Sequence, residues 1–231
     1  QLHTTKENRR MVVNKKKIVP FAQQQLIHAI TQLKQGGSGE EVLPTLEVVL
    51  EQLQTLTTHD HLTGALNRRT LIERLDTELQ RSLRTGHTFT FAIISVDHLP
   101  EIMEQHGRDV TKHILQVATL EANKILRTLD SFGRLAATEF AIVMPTTWLD
   151  QSLKAVNRLK ARFAEIDWAS TAPGLQITFC TGLTANSPGD SSEKMLARAS
   201  EALAKARAKG ANNVAQIEAD LPAYDPSPDR K

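Results

Sequence analysis

Cysteine is almost absent from this chain of 231 residues: Cys180 stands alone, so no internal disulfide can form, and the pattern fits a reducing compartment. Long apolar runs are missing too. The longest candidate, "FTFAIISV", falls well short of the roughly 18 residues that a membrane-spanning helix needs, and no signal peptide precedes a cleavage site. A dominant charge is also lacking. With 28 basic and 26 acidic side chains the net charge is only +2, so the whole-chain field argues neither for nor against a nucleic-acid partner. These absences leave a soluble, cytoplasmic chain with one domain-sized core. It starts on Gln1 rather than Met, and reads as a fragment whose upstream part carries a sensor or membrane anchor.

What is present is organised in four stretches. Residues 1–20 hold Lys6, Arg9, Arg10, Lys15, Lys16 and Lys17 among few apolar residues, a flexible basic arm whose plain reading is a solvated charge run. Residues 21–56 read as a helical linker broken by "GGSG" at Gly36–Gly39. In its second half Leu43, Leu46, Leu50 and Leu53 alternate spacings of three and four, the period of a coiled-coil seam; a helix packed on its own domain explains two heptads nearly as well. From 57 to 217 helices and strands alternate. Helices are expected over about 69–84, 98–106, 110–127, 147–165 and 192–208, and strands over 89–97, 132–134, 139–144, 175–185 and 214–217. This is an α/β pattern with helices covering a central sheet. Residues 218–231 are Pro-rich and polar, and are expected to be disordered.

Two expected strands, around Phe132–Arg134 and along "EFAIVM", bracket a Leu135–Thr138 turn and form a hairpin. Two-residue hairpin loops favour Gly, Asn or Asp because their central residues often need positive φ. Here the loop holds Ala136 and Ala137.

The words "DHLTGALNRR", "ATEFAIVMP", "ITFCTGLT" and "ASEALAKARAKGANN", with this order of elements, resemble the GGDEF domain, the diguanylate cyclase family, over about residues 57–217. The opening motif is intact: Asp60, Leu62, Thr63, Gly64, Asn67, Arg68 and Arg69 match D-x-L-T-G-x-x-N-R-R. The resemblance implies a mixed central β-sheet flanked by helices and preceded by a helical extension. It also implies a chemistry in which two GTP molecules, one on each protomer of a dimer, condense to cyclic di-GMP with divalent metal neutralising the phosphates.

The residues for that chemistry are largely missing. Ser95 stands where the resemblance implies a metal-binding Asp, and Thr138 where it implies the signature-turn carboxylate. Asp97 and Glu139 adjoin those positions, and strand alternation is expected to turn neighbours to opposite faces. Met103 and Lys112 replace the guanine-reading Asn and Asp, and a thioether and an ammonium leave guanine's edge unmatched. Arg207 stands for a phosphate-gripping Lys, and Ala211 for its Arg partner. The expectation is no catalysis, no metal and no cofactor.

One other constellation survives. Arg127 and Asp130 form R-x-x-D, which the resemblance implies is an inhibitory product site, five residues before the signature turn; Arg158 falls on that site's secondary arginine. With 15 arginines and 11 aspartates in the chain, chance predicts about 0.7 such pairs, so location carries the weight. Arg can fork to guanine O6 and N7 or to phosphate, and Asp can accept from guanine N1 and N2 hydrogens. The plainer reading is a solvated ion pair at a helix end. The expected function is a catalytically inactive cyclic di-GMP receptor, with a homodimer through the N-terminal helix, an unidentified downstream protein partner and no nucleic-acid polymer. The alternatives are a nucleotide-independent dimerisation scaffold and a cyclase with residual activity. His59, His61, His98, His106 and His113 lack acidic or Cys partners at zinc spacing, and Trp148 and Trp168 read as core or rim.

Overall fold

The computed structural model describes residues 15–219, with side chains outside 15–20 and 54–56. The fragment Thr90–Val96 is apolar at nearly every position and forms strand β1, buried along its whole length. A strand buried on both faces belongs at the centre of a sheet, and β1 lies there. It pairs antiparallel with β3 (Glu139–Met144) on one side and β4 (Phe179–Ala185) on the other. The edges are β2 (Ser131–Arg134), antiparallel to β3, and β5 (Val214–Gln216), parallel to β4, giving the order β2-β3-β1-β4-β5.

Strand alternation divides the core in two. Ala92, Ile94 and Val96 face α4 (Leu99–Ile125) and α5 (Leu149–Ala164), joining Ile114, Leu159, Phe163 and Trp168. Phe91 and Ile93 face α3 (Arg68–Thr85) and α6 (Ser192–Ala208), against Leu71, Leu75, Met195 and Leu203. Helix α6 rides so close to β4 that a Cβ on Gly182 would lie 2.2 Å from the Ala199 carbonyl oxygen and the Leu203 nitrogen. Of the two tryptophans expected in core or rim, Trp168 is in the core and Trp148 is exposed.

The two helical stretches expected between β1 and β2 are both present, separated by a kink at Gly107, whose φ of 86° and ψ of 175° are non-helical; α4 denotes the pair. Ahead of the sheet, α1 (Lys15–Lys34) and α2 (Gly39–Thr58) form a helical hairpin around the Gly36 turn. Helix therefore begins at Lys15, inside the stretch expected to be a flexible arm. The rest of that arm, residues 1–14, and the tail from residue 220 onward lie outside the described residues.

The hairpin buries Ala22, Ala29, Val42 and Val49, while Leu43, Leu50 and Leu53 stay exposed and Leu46 is half-buried. Packing on the chain's own domain therefore does not account for the leucine stripe. No helix among the described residues is long and apolar enough to cross a membrane.

The opening motif joins α2 to the sheet. Asn67 caps α3 by accepting from the Thr70 N–H at 3.0 Å, and its Nδ2 donates to the Thr57 carbonyl at 2.7 Å. Its backbone N–H donates to the Thr58 carbonyl at 2.9 Å. Leu66 extends the sheet beside β2, donating to the Phe132 carbonyl and accepting from the Arg134 N–H at 2.7 Å.

Candidate functional site

Polar chemistry gathers at two places: the cleft at the end of β1, and the turn before β2.

Ser95, the penultimate strand residue of β1, is 2% exposed. Beyond it the chain passes Asp97 and turns into α4 through His98, held in the left-handed region at φ 53°. Ser95, Asp97, Glu101, Thr138, Arg207 and Ala211 are among the residues lining a cleft of about 350 Å³. Asp97 is committed to structure, since its Oδ2 accepts from Thr178 Oγ1 and from the Asn212 N–H, each at 2.7 Å. Cys180 is buried beside it, and burial pushes its thiol pKa up.

The signature turn differs from its sequence reading by one residue. The Leu135 and Ala136 N–H groups both donate to the Glu139 carbonyl, at 2.8 and 3.1 Å, so two residues oppose one and form a bulge. The loop proper is Ala137–Thr138. Neither alanine has positive φ, and the conformation that would demand glycine does not arise. Arg134 braces the loop, donating from Nη2 to the Ala137 carbonyl at 2.8 Å and from Nη1 to Asp60 at 3.1 Å.

The β1–β3 register overturns the expectation that Glu139 faces away. Glu139 is the direct cross-strand partner of Ser95, and directly opposed residues project to the same face. One guanidinium nitrogen, Arg207 Nη2, accordingly donates to Ser95 Oγ and stands 3.2 Å from Glu139 Oε1. Of the other expected lost positions, Thr138 and Ala211 line the same cleft, and Met103 and Lys112 do not. Met103 is exposed on α4 before the kink, and Lys112, beyond the kink, pairs with Asp109 at 3.0 Å. Ala211 lines the cleft without adding a charge.

A divalent ion at the place the resemblance implies requires anionic oxygens. Ser95 and Thr138 carry none, and the one carboxylate facing Ser95 is already paired with a guanidinium. Among the described residues, no group of three or more His, Cys, Asp or Glu converges on one point. The donor set does not fit Mg²⁺.

The second place follows α4. Asp130 closes the turn, its Oδ2 accepting from the Arg127 N–H at 2.8 Å while its own N–H donates to the Arg127 carbonyl at 3.0 Å. Burial raises the Asp130 pKa above the usual carboxylate value; the Arg127 N–H and the Arg127 and Arg158 charges oppose that rise without reversing it.

Arg158 arrives from α5, whose register is set one turn later by Arg162, donating to Glu121 of α4 at 2.9 Å. Burial pushes the Glu121 pKa up, but hydrogen bonds from Lys124 and Arg162 outweigh it and hold the group low. Arg127 and Arg158 are both exposed, and neither forms an ion pair within 4.0 Å among the described residues. The structure thus brings all three predicted residues into one electrostatic neighbourhood.

Asp130 also borders a groove of about 790 Å³ that sequence reasoning missed. It runs between α4, the opening motif and α2, and is lined by Leu120, Asn123, Leu129 and Glu51 among others. Leu129, inside "RTLD", is 67% exposed; an apolar residue between the two charged ones was the available signal.

Comparison with known proteins agrees with this architecture. A family model described as diguanylate cyclase, GGDEF domain, matches residues 57–213. Diguanylate cyclase DgcP of Pseudomonas aeruginosa is 32% identical over 151 residues, covering 65% of this chain but only 22% of that protein. The chain therefore spans about a fifth of that relative's length. The GGDEF domain of DgcB from Caulobacter crescentus, solved with c-di-GMP, superposes with a TM-score of 0.65 at 20% identity, covering 69% of this chain and 95% of that one. Diguanylate cyclase SiaD from P. aeruginosa, solved with its activator SiaC, gives 0.68 at 22% identity, covering 89% and 78%.

Proposed function

The chain belongs to the GGDEF, diguanylate cyclase family, and from that premise we propose that it is a non-catalytic member. On this reading it binds cyclic di-GMP at Arg127, Asp130 and Arg158 and passes occupancy to a partner through α1 and α2. The observation that supports it most is the company Asp130 keeps: two arginines act on it electrostatically, yet neither is spent on an internal ion pair. An exposed guanidinium without an acid partner keeps its forked donors for a ligand. Guanine O6 and N7 or a phosphate can take those forks, while the Asp130 carboxylate accepts from guanine N1 and N2.

The non-catalytic half rests on the cleft. Ser95 and Thr138 present hydroxyls where phosphoryl transfer needs carboxylates to hold a metal, and Arg207 engages Glu139, the acid facing Ser95. A second observation favours association as part of the same function. Phe21, Ile27, Ile30 and Leu33 on α1 and Leu43, Leu50 and Leu53 on α2 are all exposed, a larger apolar face than single scattered residues require. A homodimer through α1 and α2 would cover it.

Calorimetric titration with cyclic di-GMP and with GTP, each with and without Mg²⁺, tests the reading. The expected result is saturable cyclic di-GMP binding that Arg127→Ala abolishes, with no GTP turnover. GTP binding with turnover selects an enzyme instead, and silence toward both selects a dimerisation scaffold.

A further inference from the structure

We infer that Arg207 is the resident cation of the β1 cleft: its guanidinium fills the place a divalent metal would need and keeps metal out. Ser95 and Glu139 oppose each other across the β1–β3 ladder, so an ion held by this end of the sheet would have to reach both side chains. A single nitrogen of Arg207 does so, from a helix on the sheet's α6 face. The arrangement is anchored on both sides. Ser95 is 2% exposed, and Glu139 starts β3 with its backbone locked into the bulge.

Three physical reasons make the occupation exclusive. A guanidinium stays protonated at any pH the fold survives, so the site's positive charge cannot be titrated away. A second, doubly charged ion within a few ångströms of it would meet repulsion that Thr138, which adds no negative charge, does nothing to offset. Mg²⁺ and Mn²⁺ give up water reluctantly and only to anionic or strongly polar oxygens in good geometry, and here Glu139 is engaged with Arg207 while Asp97 accepts from Thr178 and the Asn212 N–H.

The inference rests on the non-catalytic half of the proposed function and is independent of the cyclic di-GMP half. It makes a claim about S95D that differs from simple loss of a ligand. Restoring a carboxylate while Arg207 remains should strengthen the internal ion pair, not create a metal site. Only removal of the guanidinium should open it.

The test is Mn²⁺ binding, read by the loss of the free-ion paramagnetic resonance signal and by thermal unfolding, on the full chain as wild type, S95D and S95D/R207A. Wild type and S95D are expected to bind no Mn²⁺ at the cleft. S95D/R207A is expected to bind at least tenfold more tightly than S95D and to gain stability on Mn²⁺ addition. Should S95D/R207A fail to fold, S95D/R207Q keeps a neutral hydrogen-bond donor at the same place and carries the same expectation. Wild-type Mn²⁺ binding that E139Q abolishes would overturn the inference. So would S95D binding as tightly as S95D/R207A, or a folded S95D/R207A that ignores Mn²⁺. Neither readout involves turnover, so inactivity toward GTP and exclusion of metal can fail separately.

Discussion

Asp130→Asn should separate what Asp130 costs the fold from what it gives the ligand. The substitution keeps a side-chain oxygen to accept from the Arg127 N–H, now bonded at 2.8 Å, so the turn should hold its shape. It removes the negative charge, and with it the acceptor that the proposed binding mode offers to guanine N1 and N2 hydrogens. A hydrogen bond to a charged group contributes about 1.5–3 kcal/mol, which is roughly a 10- to 150-fold loss of cyclic di-GMP affinity. Stability should move the other way.

Burial raises the Asp130 pKa, so the folded chain holds that proton more tightly than the unfolded chain does. Its contribution to stability is most favourable at low pH and declines as pH rises from the unfolded value, about 3.9, through the raised folded value. At neutral pH the penalty is fully present. A neutral amide at this position bears no such penalty, so Asp130→Asn should melt at or above the wild-type Tm at pH 7, and the difference should shrink on acidification. Wild-type affinity should fall over the same acidic window, as protonation removes the acceptor. Calorimetry and thermal unfolding from about pH 3 to about pH 7, a range that brackets the ordinary carboxylate values near 4, read both quantities. Affinity within threefold of wild type, or a Tm as depressed as that of Asp130→Ala, would refute the reasoning.

Arg134→Ala removes the brace between Asp60 and the Ala137 carbonyl; with both ionic side chains 16% exposed, the loss should be about 2–4 kcal/mol in urea unfolding, and a change below about 1 kcal/mol would show the brace to be incidental. Asp60 itself has its pKa held down, because hydrogen bonds from Thr63 and the Arg134 charge outweigh burial. The stability it contributes is present above the ordinary Asp pKa and is lost as pH falls through the lowered value, so the Arg134→Ala deficit should narrow in acid. Purified protein should make no cyclic di-GMP from GTP and Mg²⁺, and S95D with T138E should not restore synthesis, since Met103, Lys112 and Ala211 still misread guanine and phosphate; product in a chromatographic assay that vanishes on mutating the cleft would contradict this. Deleting residues 1–56 should convert a dimer to a monomer in light scattering, and an unchanged mass would leave the exposed leucines without that role.

The sheet and its helices were legible because their signals are local and repeated: apolar strands such as "FAIISV", an Asn67 cap before a periodic helix, and a complete opening motif. The signature loop was misplaced by one residue because a bulge is a hydrogen-bonding event between strands, invisible to a pattern read along one of them. The β1–β3 register sets Glu139 opposite Ser95, and its pairing with Arg207, 68 residues away, is equally invisible along one strand. Arg127, Asp130 and Arg158 could be named from sequence, but the groove beside Asp130 could not. Its walls come from α2, α4 and the opening motif, and no spacing rule brings those together. The leucine stripe on α2 was visible as a period; that Val42 and Val49, rather than those leucines, face α1 required three dimensions.

Asn67 binds the last two carbonyls of α2 while starting α3 and lying beside the residue that extends the sheet. A 20-residue helix is about 30 Å long, and here its foot is fastened at the strand edge that leads out of Asp130. It is a clamped beam rather than a hinged one: a tilt of only about 4° at the foot sweeps the far tip through about 2 Å, by the same rise per residue. On the proposed reading, small rearrangements of the turn would be geared into displacements at the α1–α2 end, where the exposed apolar faces lie.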